Sequence, residues 1–165
     1  MASTKGIAVT IAILVGVVSA SFMVYLIPED TTMKIVVSDF EEYLDITKEK
    51  ASMEITSIDE SFEKLMEKKM SPDEYIRIAE VSSSQINSLI IELTNSGATQ
   101  EWTEIYVNYI GALKKLNEKI TETIVVANLM NGDNNSNSIN EIIAKIHQLE
   151  MESQDLIKKS DNTRP

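Results

Sequence analysis

The chain has 165 residues, no cysteine and a formal net charge of −11, from 26 acidic and 15 basic side chains. The lack of cysteine excludes disulfide cross-links, a thiol nucleophile and thiolate metal ligands. An acidic domain is repelled by a phosphate backbone, so we expect no nucleic-acid partner. The acidic side chains can attract a cationic partner or simply keep the domain in solution, and we favour the second role.

An uncharged, apolar run extends from Gly6 to Ile27. As a helix it would span about 33 Å, which is close to the hydrocarbon thickness of a lipid bilayer. Lys5 precedes the run, and Glu29 and Asp30 follow it. This charge bias favours a cytoplasmic N-terminus and an extracytoplasmic remainder. We therefore predict that the first 28 residues form a single-pass transmembrane signal anchor, followed by a connector over 29–37.

Two other interpretations of this segment stay open. Val18-Ser19-Ala20 has the small-residue pattern that a signal peptidase accepts, although cleavage there would leave an apolar N-terminus. Lys5-Gly6 directly before an apolar helix resembles the leader of archaeal pilin-like proteins, which would make the chain a filament subunit processed after Gly6. Pilin heads are usually rich in strand, whereas the sequence after residue 37 indicates helices.

Small side chains recur at every fourth position of the apolar run, namely at Ala8, Ala12, Gly16 and Ala20. This spacing places them along one face of a helix. Helices in lipid associate by close van der Waals packing over small residues rather than by a hydrophobic driving force. We predict that this face packs against another transmembrane helix, from a second copy of the chain or from a larger membrane subunit.

The rest of the chain carries four amphipathic helical segments with clear start signals. Capping boxes, in which a Ser and a Glu three residues later each bond a free backbone N–H, are predicted at Ser38, Ser71 and Ser138. The second of these boxes is the strongest because Pro72 follows its Ser. The third helix is predicted to start after Thr99.

Stop signals define the other ends. Asn95-Ser96-Gly97 and Asn131-Gly132 are predicted to end the second and third helices. The first helix is predicted to end near Met70 and the fourth near Lys159. The third helix has the most regular apolar stripe, a coiled-coil-like heptad, so we expect it to be the most buried.

These signals predict an all-α fold in which an N-terminal transmembrane helix is followed by an antiparallel up-down four-helix bundle. The bundle is predicted to occupy 38–159, with a disordered tail over 160–165. Asn134-Asn135-Ser136, in the loop before the fourth helix, is an N-glycosylation acceptor, with Asn134 as the modified residue.

Nothing in the sequence forms a catalytic or cofactor-binding pattern, so we predict no enzyme, no cofactor and no metal site. His147 is the sole histidine, and Ala144 stands where carboxylate-bundle metal sites carry a Glu. Trp102, Tyr106 and Tyr109 can either line a small ligand pocket between helices or form the wide layer of a bundle core.

The predicted function is that of a membrane-anchored extracytoplasmic bundle acting through protein–protein contacts. It would be an accessory or structural subunit of a membrane or cell-envelope complex. The alternatives are a sensor or ligand-binding ectodomain working with a signalling partner, and the pilin-like filament subunit. A sensor would need such a partner because only about five residues precede the predicted span.

Overall fold

The computed structural model of the chain describes residues 39–132 and 136–165. The predicted membrane span, its small-residue face and Asn134 lie outside the described residues. Within those two ranges the chain forms four helices and no strand: α1 (Phe40–Met66), α2 (Pro72–Asn95), α3 (Gln100–Asn131) and α4 (Ser136–Asn162). None of these four helices is both long and apolar enough to cross a membrane. The prediction of an all-helical fold is confirmed for the described part of the chain.

Side-chain contacts between successive helices show how they run. Hydrogen bonds join Ser82 to Glu54, Tyr75 to Thr123, Ser83 to Asn117, Ser153 to Ala112 and Ser160 to Ile105. The rings of Phe62 and Tyr75 also pack together, with centroids 5.7 Å apart. At each of these interfaces residue numbers rise along one helix as they fall along its neighbour. Successive helices therefore run in opposite directions.

The core lies between the helices, and α3 contributes more buried side chains than any other helix. Its Leu113 and Ile120 have no exposed surface. The apolar stripe of α2 is buried as expected from its spacing: Ala79, Ser82, Ile86, Leu89 and Leu93. The expectation that the third helix is the most buried is confirmed.

The start of α2 agrees with the sequence, whereas the start of α1 differs by one residue. The Ser71 hydroxyl accepts a hydrogen bond from the Glu74 N–H at 3.3 Å. At α1 the cap is Asp39, not Ser38, and its carboxylate accepts from the Glu42 N–H at 2.9 Å. A carboxylate is a better cap here because its charge also interacts favourably with the helix dipole.

α1 ends at Met66, earlier than the predicted end near Met70. Lys68 takes a left-handed conformation with φ of 59°, which turns the chain out of the helix. The Lys69 N–H then reaches back to the Lys64 carbonyl oxygen at 2.8 Å. This arrangement is a Schellman motif, which is usually formed with glycine at the left-handed position.

α4 exceeds its predicted bounds at both ends, extending over Ser136–Asn162 instead of 138–159. Ser160, in the tail predicted to be disordered over 160–165, is fully buried and donates a hydrogen bond to α3. Arg164, beyond the helix end, forms ion pairs with carboxylates of α1. These long-range contacts hold the C-terminal residues, and the local sequence does not reveal them.

Candidate functional site

The first and last helices of the bundle are held apart. In the described part of the chain, no Cα atom of α1 lies within 8 Å of a Cα atom of α4, whereas α3 makes such approaches to α1, α2 and α4. Side chains alone therefore bridge α1 and α4. We call the boundary between α1 and α4, which only side chains cross, the α1–α4 seam.

One end of the seam is closed by ion pairs. Lys48 of α1 pairs with Asp161 of α4. The Lys48 ammonium also lies 5.3 Å from the ring centroid of Tyr109, at the distance of a cation–π contact. Further toward the C-terminus, Arg164 pairs with Asp45 at 2.5 Å. This end of the seam is thus held by two cations, each already matched with a carboxylate.

The other end is closed by a buried lysine of α3. Lys119 is 4% exposed, and its Nζ lies 2.8 Å from Asp59 Oδ1 on α1 and 3.6 Å from Glu150 Oε2 on α4. A buried ammonium without a partner is costly, so the two carboxylates are what make this position tolerable for lysine. Lys119 links three helices at a point where the backbones of α1 and α4 stay apart.

Between these two closed ends lies a cavity of about 330 Å³. Its apolar wall is formed by Ala51 and Ile55 of α1, Tyr109 and Leu116 of α3, and Ile157 of α4. Three polar residues of the lining are exposed, namely Ser52, Thr56 and Gln154, and Ser153 is buried. The remaining lining residues are Lys48, Lys119 and Glu150. We call this space the seam cavity.

Tyr109 contributes a phenol to the lining of the seam cavity. Burial, together with the carboxylate of Asp161, raises the pKa of Tyr109 well above its ordinary value of 10. The phenol therefore stays neutral at physiological pH. His147 is exposed and does not line the cavity. Across residues 39–132 and 136–165 no three His, Asp or Glu side chains come together as metal ligands would.

The aromatic residues singled out in the sequence are divided by the fold. Trp102 and Tyr106 pack with Phe40 in a cluster whose ring centroids are 6.1–6.5 Å apart. The Tyr106 hydroxyl donates to the Phe40 carbonyl oxygen at 2.8 Å, so this cluster is a core layer. Tyr109 alone of the three lines the seam cavity.

The predicted helix-packing face, at Ala8, Ala12, Gly16 and Ala20, lies outside the described residues, so it stays a prediction.

The sequence analysis did not identify the two lysines of the cavity, Lys48 and Lys119. For Lys119 a signal was present, because it lies next to Ile120 and one turn after Leu116 on the apolar stripe of α3. Comparison of the chain with protein-family models, curated proteins and solved structures finds no match.

Proposed function

We propose that the chain is a membrane-anchored, non-enzymatic helical bundle that works outside the cytoplasm through protein–protein contacts. It would serve as an accessory or structural subunit of a membrane or cell-envelope complex. The observation that carries the proposal is the 22-residue uncharged run over 6–27, which precedes in sequence the helices described over 39–132 and 136–165.

Three features support this combination. The helices of the bundle supply a core from their own side chains. The length of the apolar run matches a bilayer, which would cover its surface. Lys5 precedes the run, whereas the first charged residues after it are the acids Glu29 and Asp30, and a positively charged flank favours the cytoplasmic side. The orientation that follows places the bundle outside.

The small-residue face supports the proposed partner, a second transmembrane helix. If close packing over this face drives association, side-chain size should matter more there than hydrophobicity. Gly16→Ile and Ala12→Ile keep the run apolar, so insertion should be unchanged while association weakens. Val9→Ile and Val17→Ile lie off the face and provide matched controls.

The measurement is affinity purification of the full chain from detergent-solubilised native membranes, with mass spectrometry of the co-purified proteins. The same spectra report the mature N-terminus and so distinguish an anchor from a processed leader. Loss of partner in both face variants but in neither control supports the proposal. Equal recovery of partner from all four variants would mean that the segment is an anchor alone and that any partner contacts the bundle.

The seam cavity favours a second candidate function, that of a ligand-binding ectodomain. Bundle ligand sites are built from side chains of facing helices, and the seam cavity is lined by three helices. Its volume of about 330 Å³ is in the range of small-molecule sites. Saturable binding of a small molecule at the cavity would support this second function without deciding the first.

A further inference from the structure

We propose that the seam cavity binds an uncharged, mainly apolar small molecule that carries a hydrogen-bonding group. This inference deepens the second candidate function, ligand binding by the bundle, and does not depend on the proposed membrane anchor. It rests on three properties of the cavity, namely its closed ends, its charge balance and its lining.

The closed ends determine the kind of occupant. Along α1 the cavity reaches from Lys48 to Thr56, which is about 12 Å at a rise of 1.5 Å per residue. The Lys48–Asp161 pair crosses the seam at one end, and the Lys119 bridge crosses it at the other. A partner helix would have to break both bridges to lie along the seam. A compact molecule fits between them.

The charge balance argues for an uncharged occupant. Lys48 and Lys119, the two cations that line the cavity, pair with Asp161, Asp59 and Glu150, and Asp161 is shared with Arg164. An anion would have to displace one of these carboxylates from its lysine. A cation would compete with the lysines for the same carboxylates. Moving either kind of charge out of water onto apolar side chains without a free partner is costly.

The lining explains what the molecule would gain. Ile55, Leu116 and Ile157 offer an apolar surface, and apolar cavities in helical cores bind small apolar molecules. The Thr56 hydroxyl donates to the Ser52 carbonyl oxygen at 2.9 Å, which leaves its oxygen able to accept a hydrogen bond. Gln154 is an exposed residue of the lining, and its amide carries both a donor and an acceptor.

The test uses the full chain in lipid nanodiscs, with isotope-labelled isoleucine methyl groups observed by NMR. Benzyl alcohol is the uncharged probe, and benzoate and benzylamine are charged probes of similar size. We expect benzyl alcohol to shift Ile55 and Ile157 saturably, with a Kd lower by about tenfold or more than that of either charged probe. Ile91, which is 60% exposed and does not line the cavity, reports non-specific partitioning and should show no saturable shift.

Substitutions that fill the cavity provide a second test of the binding site. Ala51→Leu adds bulk at the wall and Ser52→Leu at the border, and each should weaken benzyl alcohol binding by about tenfold. Ser57→Leu adds the same side chain to an exposed position of α1 that does not line the cavity, and it should leave binding unchanged. If Ala51→Leu impairs folding, judged by the methyl spectrum without probe, Ser52→Leu decides the result.

Three outcomes would overturn the inference in different ways. Saturable shifts that are strongest with benzoate or benzylamine would keep ligand binding but contradict the uncharged class. Shifts that survive in both filled variants would place the binding elsewhere. No saturable shift at Ile55 or Ile157 with any of the three probes would remove the second candidate function as well.

Discussion

Leu113→Ala is the substitution for which the structure gives the clearest energetic expectation. Leu113 lies midway along α3 and has no exposed surface. The change removes three carbon groups, each worth about 0.8 kcal/mol when buried, which together amount to about 2.4 kcal/mol. The cavity that remains adds to this loss, because a packed core relaxes only in part. We therefore expect a destabilisation of about 2.4–5 kcal/mol.

The free energy of unfolding can be measured by urea denaturation of residues 34–165, followed by far-UV circular dichroism. Val107→Ala is the matched control, because Val107 lies on the same helix and is 61% exposed. The control should change the stability by less than about 0.5 kcal/mol. If Leu113→Ala is no more destabilising than Val107→Ala, this face of α3 is not in the core and the helices do not pack around it.

Three further predictions use the same denaturation assay. Ser71→Ala should cost about 1 kcal/mol because the Glu74 N–H loses its cap; no change would remove Ser71 as the cap. Lys68→Gly should stabilise the bundle by up to about 1 kcal/mol by relieving the left-handed conformation, and a loss of stability would contradict that strain. The hydrogen bond from Arg164 lowers the pKa of Asp45 from its ordinary value of 3.8. Their pairing therefore stabilises the fold fully when the pH is above this ordinary pKa. The stabilisation is lost as the pH falls through the lower pKa of Asp45 in the folded state. Arg164→Gln should therefore destabilise the fold at neutral pH and make little difference in strong acid. An equal loss of stability at both pH values would exclude the pairing with ionised Asp45 as the cause.

The helices could be predicted because their signals are local. Ser71-Pro72 indicates the start of α2 and Asn131-Gly132 the end of α3, each from two adjacent residues. The structure has both boundaries where they were predicted. The start of α1 was off by one because Ser38 and Asp39 are both good caps. The end of α1 was predicted too late, because the chain leaves the helix through the left-handed conformation of Lys68. Glycine usually marks that conformation in a sequence, and here the residue is lysine.

The seam cavity could not be predicted, because it depends on which helices pack closely. Helical periodicity shows which face of α1 and α4 is buried but not that the two helices stay apart. The burial of Lys119 likewise depends on Asp59 and Glu150, which are distant from it in sequence and meet it only in the folded bundle. A lysine beside an apolar stripe is usually solvated, with only its stem buried. The fold rather than the sequence therefore defines the candidate site.

Protease accessibility of the full chain in its membrane tests the proposed function most directly. The bundle should remain with the membrane after alkaline carbonate extraction, because a transmembrane helix holds it there. Protease added to intact cells or right-side-out vesicles should digest the bundle, and the same protease added to inverted vesicles should leave it protected. Protection in intact cells with digestion in inverted vesicles would reverse the topology. Release of the intact chain by carbonate would contradict the membrane anchor itself.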